Sequence, residues 1–141
     1  MGILTNKAKK ITMEIIDSAP EATEYSELRQ KAGLSAKSLQ AAEIGLANSL
    51  YAVHIRIEEK LAAMGRVVGD GACFFQIVDI AVAPEHQGRG LGKVIMERIE
   101  SYLNHATVEG SYVSLIADQP EFYRKLGYKF TEPAQGMYKK F

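Results

Sequence analysis

The residues best suited to chemistry lie in one short stretch, Pro84-Glu-His-Gln-Gly-Arg-Gly-Leu-Gly-Lys93. Glycines at positions 88, 90 and 92 would let a ligand approach the backbone without interference from side chains. Gln87, Arg89 and Lys93 add hydrogen-bond donors and positive charge around the same place. An apolar run precedes the stretch and a helical pattern starts near Gly90, so the unpaired N–H groups of the first helical turn would face a bound anion. The stretch therefore predicts a site for a diphosphate.

Two common nucleotide motifs are absent from this stretch. It does not match G-x-G-x-x-G, and no acidic residue closes a βαβ unit about 20 residues later, which disfavours a dinucleotide-binding fold. The G-x-x-x-x-G-K-[ST] pattern of P-loop proteins is also missing. The diphosphate is therefore expected to belong to another class of nucleotide.

Three ordered segments between residues 76 and 130 resemble one known family. Gln87-Gly-Arg-Gly-Leu-Gly92 matches Q/R-x-x-G-x-G/A, the pyrophosphate loop of the GNAT acyl-CoA acetyltransferases. Val78-Asp-Ile-Ala-Val82 and Pro84 precede the loop as they do in that family, and Phe122-Tyr-Arg-Lys-Leu-Gly-Tyr128 is similar to its late F-Y-x-K-x-G-F segment. The strand and loop also resemble those of the glucosamine-phosphate N-acetyltransferases, but Val78 stands where that subgroup has an acidic residue.

The resemblance implies where acetyl-CoA would bind. The pantetheine arm would pair with the backbone of the strand before the loop, in a gap between the fourth and fifth strands, and the diphosphate would lie on the loop. Acetyl-CoA contacts are thereby expected from the strand end and the loop, namely Ile80, Ala81, Val82, Gln87, Gly88, Arg89, Gly90, Leu91, Gly92 and Lys93.

The resemblance also implies acyl transfer from a thioester to an amine in a ternary complex, with a primary amine of a small molecule as the acceptor. Tyr123 occupies the family's tyrosine position and is expected to stabilise or protonate the leaving thiolate, although it could simply pack under its helix. Asp79 is expected to orient or deprotonate the amine, directly or through water; the alternative is a carboxylate held by backbone N–H groups or by a cation across the sheet. Two other functions stay open, a protein or peptide N-acetyltransferase and a non-catalytic acyl-CoA-binding module.

The elements that must position these residues alternate along the chain. Helical spacing and caps predict helices near residues 22–32, 38–48, 90–103 and 120–126, with a capping box at Ser18 and Ser38 capping the second helix. Strands are expected at Ile11–Ile16, Tyr51–Ile57, Leu61–Val68, Cys73–Val82, Ser111–Ala117, Tyr128–Phe130 and Met137–Lys140. The GNAT resemblance implies that these form a three-layer α/β sandwich, with a central mixed β-sheet of six or seven strands and helices on both faces. We expect one domain over residues 1–141.

Composition narrows the function classes further. The 141 residues include 17 Lys+Arg and 17 Asp+Glu, a balance that predicts neither nucleic acid nor an anionic membrane as a partner. No apolar run of about 18 residues and no signal-peptide layout occurs, so a cytoplasmic protein is expected. Cys73, the single cysteine, is predicted to pack in an apolar run, and His54 to be exposed or at an edge. The three histidines lack ligand spacing, so no metal is expected.

The C-terminal residues predict how the protein assembles. Gly136-Met-Tyr-Lys-Lys-Phe141 alternates apolar and polar residues and is expected to form an edge strand. Unpaired edges accept strands from a partner, and dimers are common in the family that the chain resembles. We therefore expect a homodimer.

Overall fold

The computed structural model describes the backbone of residues 2–6 and 9–141 and the side chains from Thr12 onward. Within these residues it contains a single sheet of six strands, which lie in the order of the sequence. The strands are β1 Gly2–Asn6, β2 Lys9–Ile16, β3 Tyr51–Ile57, β4 Lys60–Gly69, β5 Phe74–Val82 and β6 Tyr112–Leu115. The helices are α1 Ala22–Lys31, α2 Leu39–Ala47, α3 Leu91–Ala106 and α4 Pro120–Lys125, and Pro84–His86 forms a single 3₁₀ turn.

Pairing in the sheet is mixed, as predicted. Strands β1 to β5 pair antiparallel with their neighbours, and β6 pairs parallel with β5. The parallel pair is possible because α3 carries the chain back across the sheet between the two strands. The mixed α/β fold is confirmed. Five of the seven predicted strands are present, and the sixth strand of the sheet is β1, which the sequence did not predict.

Helices cover both faces of the sheet because successive side chains of a strand point to opposite faces. Gly65 of β4 faces α3, and a Cβ atom at this position would lie 2.6 Å from Cγ2 of Ile95, so glycine lets the helix approach closely. The next residue, Arg66, reaches α2 on the opposite face. The core around α3 is formed by the apolar stripe Leu91, Ile95, Met96, Ile99 and Leu103. A second core packs α1 and α2 on the sheet through Tyr25, Leu28, Ala42, Leu46 and Met64.

Strands β5 and β6 separate part of the way along β5. Residues Phe74 to Ile77 pair with Tyr112 to Leu115, but β5 continues to Val82 beside β4 alone. Among the described residues, the backbone groups of Val78–Val82 that face β6 therefore have no strand partner. This opening matches the gap that the family resemblance implied, between the fourth and fifth strands of the predicted numbering.

A β-bulge lies at the point where β5 and β6 separate. Arg66 pairs with Val78 and Met64 with Ala81, so two β5 residues, Asp79 and Ile80, stand opposite Gly65. Asp79 adopts a left-handed conformation with φ of 60°, which Asp tolerates better than most residues. The bulge turns the Asp79 side chain toward α1, where it meets the Tyr25 hydroxyl.

Several local predictions differ from the structure. Ser38 caps α2 by accepting a hydrogen bond from the Ala41 N–H at 3.0 Å, as predicted, but α1 begins after Glu21 and has no side-chain cap, so the capping box at Ser18 is wrong. The predicted strands at Tyr128–Phe130 and Met137–Lys140 are also wrong, since those residues form no strand in the structure. Alternating apolar residues are not sufficient for a strand when no edge is paired with them.

Candidate functional site

A cleft of about 610 Å³ opens where β5 leaves β6. One wall is the exposed edge of β5 with the following loop, and the other walls come from α1, the end of β6 and α4. Its volume lies in the range of small-molecule sites, which bury most of a ligand in a concave surface. The residues that the sequence predicted for acetyl-CoA all line this cleft except Arg89, which is exposed outside it.

Two glycines shape the loop at one end of the cleft. Gly88 and Gly90 have φ of 77° and 80°, in the left-handed region that side chains rarely adopt. Gly90 is the N-cap of α3, and the first helical hydrogen bond joins the Val94 N–H to its carbonyl at 3.1 Å. A Cβ atom at either glycine would meet nothing within 4 Å, so the space beside the first turn of α3 is open. Its unpaired N–H groups and the positive end of the helix dipole suit an anion.

Gln87 joins the loop to the strand before it. Its side-chain Nε2 donates to the Val82 carbonyl at 3.1 Å, which ties the first residue of the glycine stretch to the last residue of β5. Lys93 is exposed on the first turn of α3 and brings a positive charge to the cleft. Gln87 thus positions the loop, whereas the backbone and Lys93 are what the cleft offers to an anion.

Tyr123 lies on α4 at the cleft wall, half-buried between two aromatic rings. Its ring meets Phe122 edge-on at 5.0 Å between centroids and Tyr128 at 6.2 Å. Among the described residues its hydroxyl forms no hydrogen bond. Burial, and then the negative charge of Asp118, raise the pKa of Tyr123 above its ordinary value, so the phenol stays protonated near neutral pH. Tyr123 therefore brings a protonated phenol to the cleft wall.

Asp79 is the centre of a buried ion cluster. One carboxylate oxygen accepts from Nη1 of Arg29, and the other accepts from Nε of Arg66 at 2.8 Å and from the Tyr25 hydroxyl at 2.8 Å. The Asp79 side chain is 5% exposed. Both oxygens are therefore engaged by the protein, the arrangement of a carboxylate held by cations across the sheet. The geometry favours this alternative over a carboxylate that points freely at an amine.

The remaining contacts of the cluster hold both arginines in place. Arg29 donates from Nε to the Ser35 carbonyl at 2.9 Å and from Nη2 to the Ser35 hydroxyl at 3.1 Å. Arg66 donates from Nη1 to the Gly45 carbonyl and the Ser49 hydroxyl, each at 2.9 Å. Burial raises the pKa of Tyr25, followed by the charge of Asp79, so its phenol is neutral. The cluster therefore has two positive charges and one negative charge.

Arg29 and Tyr25 were not identified as functional from the sequence, although a signal was present. Both lie on the face of α1 that also carries the buried Leu28, and a cation within such a stripe needs a buried partner. Arg66 stands in the same way inside the apolar run of β4. Asp79, an anion in an apolar strand, is the counter-charge of both Arg29 and Arg66.

Two further predictions, for His54 and Cys73, differ from the structure, and His86 is a cleft residue for which the sequence predicted no role. His86 lines the cleft, and its Nδ1 atom is buried without a partner among the described residues. His54 is buried, because helices cover both faces of the sheet at β3, and its Nδ1 contacts the Ser18 carbonyl at 2.6 Å; its expected exposure is wrong. Cys73 is exposed in the turn before β5, whose N–H groups bond Asp70, so its expected packing is also wrong.

Two features are absent from the residues that the structure describes. None of their helices combines the length and the apolar character that crossing a membrane requires. No group of three or more His, Cys, Asp or Glu side chains that could hold a metal ion occurs in this part of the chain.

Comparison with known proteins gives consistent results. The sequence profile described as an acetyltransferase (GNAT) domain matches residues 47–130. An uncharacterized N-acetyltransferase, ycf52 of Pyropia yezoensis, is 30% identical over 122 residues, which cover 82% of this chain and 69% of that protein. The chloroplastic GCN5-related N-acetyltransferase 2 of Arabidopsis thaliana is 37% identical over 84 residues, or 57% of this chain. Only 32% of the Arabidopsis protein is matched, so the chain spans about a third of that relative.

A solved structure is similar over nearly the whole chain. It is a probable acetyltransferase of unknown function from methicillin-resistant Staphylococcus aureus, determined at 1.7 Å. The two share 45% sequence identity and superimpose with a TM-score of 0.88, covering 92% of this chain and all of the other. The shared fold includes the sheet and helices that form the cleft.

Proposed function

The chain belongs to the GNAT family of acetyltransferases, and on that basis we propose that it transfers an acetyl group from acetyl-CoA to the primary amine of a small molecule. The observation that carries the proposal is the cleft itself, in which the unpaired edge of β5 leads directly to the open glycine loop at the start of α3. A flexible thioester arm needs the first feature, and a diphosphate needs the second.

Different residues of the cleft would bind different parts of acetyl-CoA. Backbone groups at Ile80, Ala81 and Val82 would bond the pantetheine arm as an added strand would. Backbone N–H groups from Gly88 to Lys93 would hold the diphosphate, assisted by the charge of Lys93. Arg89 lies outside the cleft, so its proposed contact with acetyl-CoA would be made from the rim. When bound, acetyl-CoA supplies an activated thioester.

Two side chains have proposed roles in the transfer. The protonated Tyr123 hydroxyl would donate to the sulfur as it leaves, which needs the raised pKa that burial provides. Asp79, with both oxygens engaged, would orient the acceptor through the cations that it holds, and the amine proton would pass to water. Backbone N–H groups near Ala81 would stabilise negative charge on the carbonyl oxygen.

The experiment that tests the proposal measures release of free thiol from acetyl-CoA with a panel of amines. The panel covers amino sugars, arylalkylamines, polyamines, amino acids and peptides. Transfer to a small amine supports the proposal. Transfer confined to peptides assigns the protein to the protein N-acetyltransferases, and binding of acetyl-CoA without thiol release from any amine assigns it to non-catalytic binding modules.

Three further parts of the proposal concern the whole protein. Residues 1–141 would form one domain, the cytoplasm would be its location, and the protein would be a homodimer. Support for the dimer comes from the C-terminal side chains Met137, Tyr138 and Phe141, which are apolar and almost fully exposed. Sedimentation at high protein concentration tests the dimer, and a species near the chain mass of 15.5 kDa alone would contradict it.

A further inference from the structure

We propose that Arg29 binds an anionic group of the acceptor, so that the preferred substrates are amines that also carry a carboxylate or a phosphate. This inference rests on the proposed acetyltransferase function and adds the chemical class of the acceptor. It starts from the ion cluster at the β5 bulge, which lies at the end of the cleft away from the glycine loop.

The first observation is an excess of positive charge. Arg29 and Arg66 share a single carboxylate, Asp79, and their other described partners carry no charge: they are carbonyl groups, hydroxyl groups and the Tyr25 ring, whose centroid lies 5.8 and 5.7 Å from the two guanidinium carbons. Tyr25, the fourth member, is neutral because burial raises the pKa of its phenol. A buried cation without a counter-charge is costly, so an arrangement with one surplus guanidinium charge is completed by an anion from outside the protein.

The second observation is that Arg29 has unused donors at the cleft; Arg66 also leaves both hydrogens of its Nη2 atom unused, but Arg66 does not line the cleft. A guanidinium has five N–H hydrogens in a planar fork. Contacts with the described residues use three of those on Arg29, to Asp79 and to the carbonyl and hydroxyl of Ser35. One hydrogen on each Nη atom is left, and a carboxylate or phosphate oxygen is the acceptor that a guanidinium N–H bonds most strongly.

The third observation is location. Arg29 lines the cleft although its side chain is only 8% exposed, whereas Arg66, whose side chain is 10% exposed, is not part of the cleft wall. Asp79 and Val82 are three residues apart on β5, a separation of about 10 Å, with the proposed position of the thioester arm between them. An anion on Arg29 is therefore distinct from the diphosphate on the loop.

The arrangement also explains why Asp79 is held by two cations. If Arg29 alone paired with Asp79, the pair would be neutral and would give no preference between charged and uncharged acceptors. Because Arg66 also bonds Asp79, the carboxylate can fix the orientation of Arg29 while the site keeps a positive charge for the ligand. Ala32 and Leu34 line the cleft near Arg29 and leave room for an apolar part of the acceptor.

The test compares matched pairs of amines by calorimetric titration into full-length protein saturated with coenzyme A. In the carboxylate arm each amino acid is paired with its amide, and in the phosphate arm phosphoethanolamine is paired with ethanolamine. We expect the anionic member of at least one arm to bind roughly 10- to 100-fold more tightly, the range expected for a charge-assisted hydrogen bond. The arm that shows the preference identifies the anion.

Arg29→Gln should make the two members of that pair bind equally, and Arg29→Lys should keep part of the preference. Arg66→Gln should also weaken the preference, because Arg29 and Asp79 would then form a neutral pair. Arg56→Gln is the matched control, since Arg56 pairs with Glu24 outside the cleft and its loss should leave the preference in place. Equal binding within every pair by the wild type, no binding by any member, or a preference that survives in Arg29→Gln would overturn the inference. The wild-type comparison decides the matter even if an Arg29 variant does not fold.

The proposed function fails separately. If acetyl-CoA releases no thiol with any amine, charged or neutral, the acetyltransferase proposal is wrong whatever the titrations show. If neutral and anionic amines are acetylated with the same KM, the enzyme is established and only the role of Arg29 is wrong.

Discussion

The two ends of the cleft are built in opposite ways. The loop at Gly88 and Gly90 is exposed, comes from one short stretch of sequence and offers mainly backbone donors. The cluster around Asp79 is buried, comes from α1, β4 and β5, and offers charged side chains whose partners are almost all inside the protein. The loop end needs little support from the rest of the fold, whereas the cluster end is part of the core. A change at the loop should therefore alter binding, and a change at the cluster should alter stability first.

The largest effect is expected from Asp79→Asn, which removes the negative charge and keeps the shape. Asn also tolerates the left-handed backbone at this bulge, so the variant isolates the charge. Two buried guanidinium groups would then lack a counter-ion, and we expect the free energy of unfolding to fall by about 3–5 kcal/mol. Denaturant titration measures this change.

The control for Asp79→Asn is Asp118→Asn, at an exposed residue on the cleft wall. It should change the free energy of unfolding by no more than about 0.5 kcal/mol. Equal stability of the two variants would mean that the cluster at the bulge contributes no more than the surface does.

Tyr123→Phe tests a residue that lies between the two ends. The variant keeps the ring and its contacts with Phe122 and Tyr128, so it isolates the hydroxyl. Loss of a general acid typically lowers the rate by about 100- to 10,000-fold, and we expect kcat to fall at least roughly tenfold with little change in acetyl-CoA affinity. Steady-state kinetics beside a direct binding measurement separates the two quantities.

Tyr128→Phe provides the matched comparison for Tyr123. Tyr128 is a half-buried neighbour with a raised pKa of about 12, but it does not line the cleft. Removing the Tyr128 hydroxyl should leave kcat within about twofold of wild type. The proton for the leaving sulfur must come from a group that contacts the sulfur, and Tyr128 lies outside the cleft. A fall in kcat that is the same for both variants would assign Tyr123 to packing alone.

Gly90→Val tests the loop end. The side chain would enter the space beside the first turn of α3 that is proposed for the diphosphate. We expect the dissociation constant of acetyl-CoA to rise about tenfold or more, because charge-assisted bonds to the backbone are lost. Gly110→Val is the control, since Gly110 has a similar φ of 86° and open surroundings but lies away from the cleft. Equal affinities in the two folded variants would mean that the diphosphate binds elsewhere.

The same contrast explains what the sequence could predict. The loop could be identified from the sequence because its accessible backbone depends only on glycines that lie close together in the chain. The ion cluster was only half identified, since Asp79 stood out in an apolar strand but its partners meet it only through the bulge and the packing of α1. The number of strands at the C-terminus was overestimated because alternation at Met137–Lys140 indicates a strand without supplying a neighbour to pair with.

The smallest effect is expected at the ion pair of Glu24 with Arg56, which lies outside the cleft. Its contribution to the free energy of unfolding is the reference with which the contribution of the buried Asp79 cluster is compared. The two side chains bond through both carboxylate oxygens, at 2.5 and 3.0 Å, but each keeps between a fifth and a third of its surface exposed. Glu24→Gln should therefore lower the free energy of unfolding by no more than about 1 kcal/mol at neutral pH.

The hydrogen bond from Arg56, and then the charge of Arg56, lower the pKa of Glu24 in the folded protein. A lowered pKa means that the pair stabilises the fold above the ordinary pKa of a glutamate and that this contribution is lost as the pH falls through the folded pKa. The difference between wild type and Glu24→Gln should thus be present at pH 7 and should vanish in acid, as unfolding titrations at both pH values would measure. If the difference persisted in acid, the effect would come from the shape of the side chain, and the exposed pair could not serve as the electrostatic reference for Asp79.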